Sequence, residues 1–518
     1  MVHTRYNLPA KRIAGITAAL ATTALVSACA VGPDFEHPKA PDVSGYTHEP
    51  LTEHTASADV KGGESQHFVE GMDIPGEWWT LFKSPQLNAL IEQSLKGNPD
   101  LQAAEAALRV AQENVKAQEG SFYPSVTGNY NAQRQKIAQS VSGTNPLSQP
   151  VPIFSLYTGQ VAVSYTPDVL GLNRRTVESL QAQSESQRFQ LAAAHLTLTS
   201  NVVAAAVQEA SLRAQIAATQ EMIDINTRIL DIQRNQLAKA SANRLDVAAQ
   251  EAQLAQLKAT LPPLQKQLAV QRNLLTALAG KLPSEEVSEK FTLDDLHLPQ
   301  DLPVSLPSKL VEQRPDVRSA EEQLHSASAQ VGVAIANRLP QFTIDATAGD
   351  TGTMFRHLFN PADAFWNLAG GITQPIFDGG TLLHRQRGAE AAYDQAAAQY
   401  RSTVIGAFQN VADTLRALQY DANALNAAAA AKDAASVTLD LTRRQLQSGS
   451  ANYLAVLSAE QTYQQAVIGL VQAQANRYAD TAALFQALGG GWWNKPDIVA
   501  DDSNDDSTAQ PSKRGDSL

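Results

Sequence analysis

The sequence predicts an α+β membrane protein built from a tandem-duplicated helix–strand–strand–helix unit, and three observations predict it. First, residues 172–261 run for ninety positions without a glycine or a proline. Within them Leu191, Leu198, Ala205 and Leu212 step by seven, and after one step of four Ile216, Ile223, Leu230 and Leu237 step by seven again. A seven-residue apolar repeat marks a supercoiled helix seam, and the four-residue insertion is a stutter that unwinds it locally. At ~1.5 Å per residue the rod over 172–237 is roughly 100 Å long. Second, landmarks recur in order at nearly one offset. Asn98-Pro99-Asp100-Leu101 matches Arg314-Pro315-Asp316-Val317, Pro167 and Gly171 match Pro375 and Gly379, and Ser241-Ala242-Asn243-x-Leu245 matches Ser450-Ala451-Asn452-x-Leu454. The closing Ala277-Leu278-Ala279-Gly280 matches Ala487-Leu488-Gly489-Gly490. Third, each copy holds two segments of ~10 residues that switch to period two, the length and pattern of a membrane barrel strand.

Composition narrows the function classes. The net charge is −12 with Lys and Arg scattered, which argues against a nucleic-acid partner. One cysteine gives neither a disulfide framework nor a cysteine metal site, and the ten dispersed histidines lack the helical two-histidine zinc spacing, so no metal ligand is nominated. No G-x-S-x-G, G-x-x-x-x-G-K-[ST], G-x-G-x-x-G or H-E-x-x-H occurs, and no enzyme and no cofactor is expected.

Taken in order, residues 1–28 read as an export signal: Arg5, Lys11 and Arg12, an apolar stretch over 13–26, then small residues ending at Cys29. That ending resembles the bacterial lipobox. There the thiol takes a diacylglyceryl group, the signal is cut before the cysteine, and the freed amine takes an acyl chain such as palmitate. Two or three chains anchor stably where one does not. Ala30, rather than an aspartate, implies onward export to the outer membrane. Residues 29–76 are polar and aperiodic, and an extended, loosely packed segment is expected.

The first repeat spans 77–281. Trp78-Trp79-x-x-Phe82 precedes a helix with Ser84 as N-cap and Pro85 at its first position. A second helix starts at Asn98-Pro99-Asp100 and ends near residue 121. Strands are expected over about 123–135 and 153–167, followed by the long rod. A tip at 239–243 follows, and the helix restarts at Leu245. A Pro-rich, acidic linker covers 282–307. The second repeat spans 308–493, with strands about 339–350 and 364–376, and residues 494–518 form a tail without apolar period. In the strands Val126, Gly128, Tyr130 and Ala132 share one face, as do Tyr157, Val161, Val163 and Tyr165, then Phe342, Ile344, Ala346 and Ala348, and finally Trp366, Leu368, Gly370 and Ile372.

Four strands cannot close a barrel, and an open sheet in lipid leaves unpaired backbone groups costing several kcal/mol each. Three protomers supplying twelve strands are the smallest arrangement with a usable lumen. The two shorter helices of a repeat together match the rod in length, so a ring of such pairs continues the barrel as a hollow helical tunnel.

The chain is similar to the TolC-like outer-membrane factors, in their NodT-type efflux lipoprotein branch. The matching residues are Cys29 to Phe35, Trp78-Trp79-x-x-Phe82, Tyr165-Thr166-Pro167-Asp168-Val169-Leu170-Gly171, Leu302-Pro303-Val304-x-Leu306-Pro307-Ser308, Arg314-Pro315-Asp316 and Ala487-Leu488-Gly489-Gly490-Gly491-Trp492. The resemblance implies a homotrimer with a twelve-stranded barrel in outer-membrane lipid and an α-helical periplasmic tunnel in a Gram-negative cell. It also implies docking to a periplasmic adaptor (a membrane fusion protein) and an inner-membrane pump of the resistance-nodulation-division type. Such channels passively conduct drugs or other small toxic compounds and confer drug resistance. By the same resemblance Leu454 and Ser458 stand at the periplasmic constriction with Tyr453 beside them, and relatives often carry an aspartate where Ser458 stands. Ser241, Asn243, Asp246, Gly449, Ser450 and Asn452 form the tips, with Asp246 an alternative entrance charge. The rival reading is a lipid-anchored periplasmic coiled-coil adaptor that does not span the membrane; it gives no reason for four period-two strands.

Overall fold

In a computed structural model, residues 30–136, 153–239, 243–358 and 361–495 are described. Their elements in chain order are β1 (His67–Glu70), α1 (Pro85–Gly97), α2 (Pro99–Glu119), β2 (Ser125–Gln135), β3 (Phe154–Tyr165), α3 (Leu172–Ala238) and α4 (Arg244–Leu278). The second half follows with β4 (Asp301–Val304), α5 (Pro307–Gln313), α6 (Pro315–Ala336), β5 (Gln341–Gly352), β6 (Ala364–Thr373), α7 (Thr381–Gln447) and α8 (Tyr453–Ala487). Helices α3 and α7 are each 67 residues and α4 and α8 each 35, so the two copies match element for element. The signal at 1–28, Cys29, the tip residue Ser241 and the tail from 496 lie outside the described residues.

The chain divides into two compact units. The first, Met1–His37, Leu108–Ser186 and Ala320–Tyr400, holds an antiparallel sheet in the order β2-β3-β5-β6. Prolines set its boundaries, because a proline cannot donate to a ladder. Pro124 and Pro340 immediately precede β2 and β5, and Pro167 and Pro375 each lie two residues past β3 and β6. An aspartate then starts each long helix. Asp168 accepts from the backbone N–H of Asn173 and Arg174 at 2.9 and 3.0 Å, and Asp378 from those of Gly380 and Leu382 at 2.9 and 2.7 Å.

In the second unit the seam residues Leu198, Ala205, Leu212, Ile223 and Leu230 are buried, with Leu191, Ile216 and Leu237 half-buried. Each repeat is clasped end to start. Asn98 Nδ2 donates to the Leu278 carbonyl at 3.1 Å, closing the end of α4 on the start of α2; Arg314 Nη1 donates to the Ala487 carbonyl at 2.9 Å, closing α8 on α6. Beside each clasp sits a left-handed glycine with no room for a Cβ. One added at Gly280 would lie 2.1 Å from the Gly97 carbonyl oxygen, and one at Gly489 would lie 2.4 Å from that of Gln313. Gly280 therefore corresponds to Gly489, one position before the Gly490 that sequence matching pairs with it.

Two expectations are corrected here. Residues 38–76 are not loosely packed. Thr55, the Glu64 carbonyl and Gln66 all accept from the fully buried Arg477 Nη2, at 3.0, 2.7 and 3.2 Å, and Ile74 has no exposure. The segment over 282–307 is no bare linker. Its strand β4 pairs in parallel with β1, Phe291, Leu296 and Leu302 are fully buried, and the Arg272 guanidinium gathers the Val287 and Glu289 carbonyls. Polar bonds between residues far apart in sequence hold these segments, and no apolar period announces such bonds.

Burial, and then the Asp421 carboxyl hydrogen-bonded to it, pushes the Asp480 carboxyl up to about 7. An unfolded Asp titrates near 3.9, so between about pH 4 and pH 7 the folded chain keeps a proton that the unfolded chain has released. Stability therefore falls as pH rises through that window, by at most ~1.4 kcal/mol per pH unit and less for a partly exposed group. Asp480→Asn is expected to flatten this part of the profile, measured as the thermal-unfolding midpoint of detergent-purified protein against pH. An unchanged slope in the variant contradicts the assignment.

Candidate functional site

Register turns the four alternating strands into one amphipathic surface. Val126 lies opposite Val163, Val161 opposite Ala348, Ala346 opposite Leu368, Ala348 opposite Trp366 and Phe342 opposite Ile372, so the apolar positions fuse into a single face. That face is bare: Trp366 is 80% exposed, Ile372 70%, Leu368 66% and Val126 66%. The other face is polar and internally bonded. Ser164 Oγ donates to Asp345 Oδ1 at 2.7 Å, and the Thr158 and Thr351 hydroxyls meet at 3.2 Å. Bare apolar residues alternating with polar ones invert the soluble pattern and fit a lipid-facing strand. At the end of the sheet where β2 starts and β6 stops, Tyr123, Ile376 and Phe377 are also exposed, where a membrane barrel carries an interfacial girdle. Among the described residues, strands β2 and β6 each pair on one side only; neither contains a proline or a lysine to protect its free edge, and Arg134 near the end of β2 is their one charge.

The residues after Cys29 are strapped to this same unit. Val31 N–H donates to the Leu170 carbonyl at 3.2 Å, and the buried Arg175 donates to the Val31 carbonyl at 3.2 Å, to Asp34 at 2.6 Å and to Glu178 at 2.8 Å. Phe35 stacks on the His325 ring with centroids 4.3 Å apart. His325 lies between Glu322 and Glu178 at 3.3 and 3.2 Å, and the hydrogen bond that its ring donates to the Glu322 carboxylate holds its pKa above the ordinary imidazole value. A Cβ at Gly171 would stand 2.6 Å from Ala30 Cα, so residue 30 lies against the turn that follows β3. Residues 30–37 are therefore not the loose segment expected; Val31-Gly32-Pro33-Asp34-Phe35 carries no period that would announce the strap.

The tips belong to the second unit. Gly449, at φ +76°, ends α7 in a Schellman motif: its N–H donates to the Leu446 carbonyl at 3.0 Å, and Ser450 N–H to that of Gln445 at 2.9 Å. Asn243 and Asn452 are the N-caps of α4 and α8, accepting from Leu245 N–H at 3.1 Å and Ala455 N–H at 2.9 Å. Leu454 is 56% exposed, and Ser458, one turn on, shares its exposed face. Tyr453 does not join them. It is buried at the heart of the tip, where its hydroxyl donates to Gln250 of the other hairpin, and burial raises its pKa. Gln250 in turn donates to the Asn226 carbonyl and side chain at 3.0 and 2.9 Å. Asp246 is half-buried in the first turn of α4. Leu245, paired with Leu454 by the repeat match, is 65% exposed in the same way, a further residue of the tip surface beyond those expected at the constriction. The hairpins also share an ion pair, Arg234–Glu251 at 2.7 Å and Arg443–Glu460 at 2.8 Å, surface-exposed in the first and with a fully buried Glu460 in the second.

Known outer-membrane proteins are similar to this chain over most of its length. The family described as outer membrane efflux protein matches residues 90–281 and 306–490. The pyoverdine export outer membrane protein OpmQ of Pseudomonas aeruginosa is 29% identical over 80% of this chain and 87% of its own. The toluene efflux pump outer membrane protein TtgC of Pseudomonas putida is 26% identical over 92% and 96%. The solved outer-membrane channel OprN superposes with a TM-score of 0.79 at 26% identity, covering 90% of this chain and 100% of that one.

The opposite placements of neighbouring tip residues are separable by stability. Tyr453→Phe leaves the buried Gln250 oxygen without its donor and is expected to cost about 1–3 kcal/mol. Leu454→Ala, on the exposed face, is expected to stay within about 0.5 kcal/mol of the parent. Unfolding of the detergent-solubilised variants measures both; equal losses contradict the placement.

Proposed function

From the premise that the chain belongs to the outer membrane efflux protein family, we propose that it is the outer-membrane channel of a tripartite efflux system, and that it conducts small toxic compounds from a periplasmic adaptor and an inner-membrane pump to the exterior. The observation that carries this reading is the bare apolar sheet face together with its two open edges. In lipid each unpaired edge amide or carbonyl costs several kcal/mol, and β2 and β6 would leave two such rows. Pairing β6 of one protomer with β2 of the next removes both, and three protomers give a twelve-stranded barrel wide enough for a lumen. The face with Gln160, Asp345 and Thr347 then lines the lumen, and the face with Val161 and Trp366 meets lipid. A barrel of this kind passes solutes down a gradient, so the pump supplies the energy and selects the cargo. Among the pump classes the resistance-nodulation-division type is the one proposed. A periplasmic adaptor that spans no membrane would have no use for such a sheet.

The anchor is part of the proposal: a diacylglyceryl group on the Cys29 thiol and an acyl chain on its amine. The strap at residues 31–37 supports it, because it delivers residue 30 beside the sheet that lipid would surround. The gate is a second part. Leu454, joined by Leu245, narrows the periplasmic entrance by bulk and dewetting, while Ser458 supplies no ring of negative charge.

Adjacent residues test the barrel. Val161→Arg, on the lipid face, is expected to cost ~2–4 kcal/mol near the midplane and to abolish insertion, whereas Gln160→Arg, on the lumen face, is expected to insert. Outer-membrane fractionation reads the difference, and equal behaviour contradicts the assignment of faces. For the duct itself, planar-bilayer recording of the purified protein is expected to show discrete steps from a trimeric mass. Leu454→Ala and Leu454→Gly should raise the open fraction, and Ser458→Ala should leave cation selectivity unchanged. A lipidated monomer without conductance would return the adaptor reading to the front.

A further inference from the structure

Residues 53–55 run antiparallel to β1. Thr55 N–H donates to the Gln66 carbonyl at 2.9 Å and Phe68 N–H to the Glu53 carbonyl at 3.2 Å, so these bonds bracket the bridged pair His54 and His67. A pair bracketed in this way is the close one of an antiparallel ladder, with both side chains on one face. The two imidazoles lie 4.6 Å apart, ring planes 24° from parallel. Glu53 brings Oε1 to 3.7 Å from His67 Nε2. Donor atoms of Glu53, His54 and His67 all lie within 4.8 Å of one another. On the far side of the ring, β4 pairs Asp301 beside His67 and sets its Oδ1 3.5 Å from Nδ1.

We propose that Glu53, His54 and His67 bind one divalent transition-metal ion of the zinc class, with Asp301 orienting the His67 ring. Two imidazoles and one carboxylate suit borderline divalent ions such as Zn²⁺ over Mg²⁺ or Ca²⁺, which prefer all-oxygen sites. A metal-bound imidazole characteristically donates its second N–H to a carboxylate, and that is the relation of Asp301 to Nδ1 when Nε2 faces Glu53. Ligands at ~2.0–2.1 Å around a tetrahedral ion stand roughly 3.3 Å apart, so the present donors need only close inward by about 1 Å. Glu53 and Asp301 are mostly exposed and free to move that far, and water completes the fourth position. The helical spacing rule passes over this site because His54 and His67 are thirteen residues apart and meet only across the bridge. The ion would staple residues 53–55 onto β1 and β4, next to Thr55 and Gln66, which cap the buried Arg477.

The experiment uses the full-length detergent-purified protein, stripped with a chelator and titrated with Zn²⁺ by calorimetry, with Co²⁺ as a spectroscopic probe. The parent is expected to bind one Zn²⁺ per protomer at this site and to give the visible absorption of tetrahedral Co²⁺. His54→Ala and His67→Ala should each remove that binding event and that absorption, while the oligomeric mass and thermal midpoint without metal stay as in the parent. Glu53→Gln should weaken Zn²⁺ at least 10-fold. Asp301→Asn should weaken it about 10–100-fold with the stoichiometry kept, the signature of a positioning residue. The assignment is overturned if the histidine variants retain the parent isotherm or if equimolar Mg²⁺ displaces Zn²⁺. Zinc bound elsewhere, through His325 with Glu178 and Glu322, would survive both histidine variants and overturn it equally.

Discussion

Everything in this protein answers to two open strand edges. A β-strand in water can leave its outer amides to the solvent; one in hydrocarbon cannot. The sheet has four strands, bare apolar side chains on one face, and no proline or lysine guarding β2 or β6, so the protomer is incomplete as it stands. Barrel closure, threefold assembly and a lumen lined by the polar face all follow from satisfying those edges. The duplication supplies the means, since each copy contributes one hairpin and one pair of long helices, and neither copy alone holds enough strands.

The clasp between the start and end of each repeat shows how the helical part tolerates divergence. Asn98 and Arg314 reach the same carbonyl position from the same place, one as an amide and one as a guanidinium. What the two sites share is the glycine beside them, because a Cβ there would collide with backbone rather than with a movable side chain. Backbone approach is conserved between the copies where side-chain identity is not.

The sequence made the strands and rods legible because their periods of two and seven are set by backbone geometry, and the prolines and aspartates at their ends act within a few residues. The rest was harder for definite reasons. The N-terminal segment is held by Arg477, Gln66 and Arg175, single polar residues that bond to carbonyls far away in sequence and leave no pattern. Tyr453 and Leu454 are neighbours on one helix turn, and which of them faces inward depends on Gln250 in the other copy. The pairing of His54 with His67 needs the bridge between an irregular segment and β1, which no local signal predicts. The carboxyl of Asp480 likewise owes its environment to Asp421 on another helix.

The two tips also set a rule of multiplicity. Leu245 and Leu454 are equivalent and both exposed, so an assembled ring presents that leucine six times. Asp246 corresponds to Ala455 in the second copy, and Ser458 to Ala249 in the first, so a substitution at either is written three times. The gene can therefore adjust the ring of tips in steps of three side chains, one repeat at a time, while the capping asparagines, Asn243 and Asn452, keep the helices in place. A homohexamer of half-length chains would have only the coarser step, and duplication gave the ring the finer one.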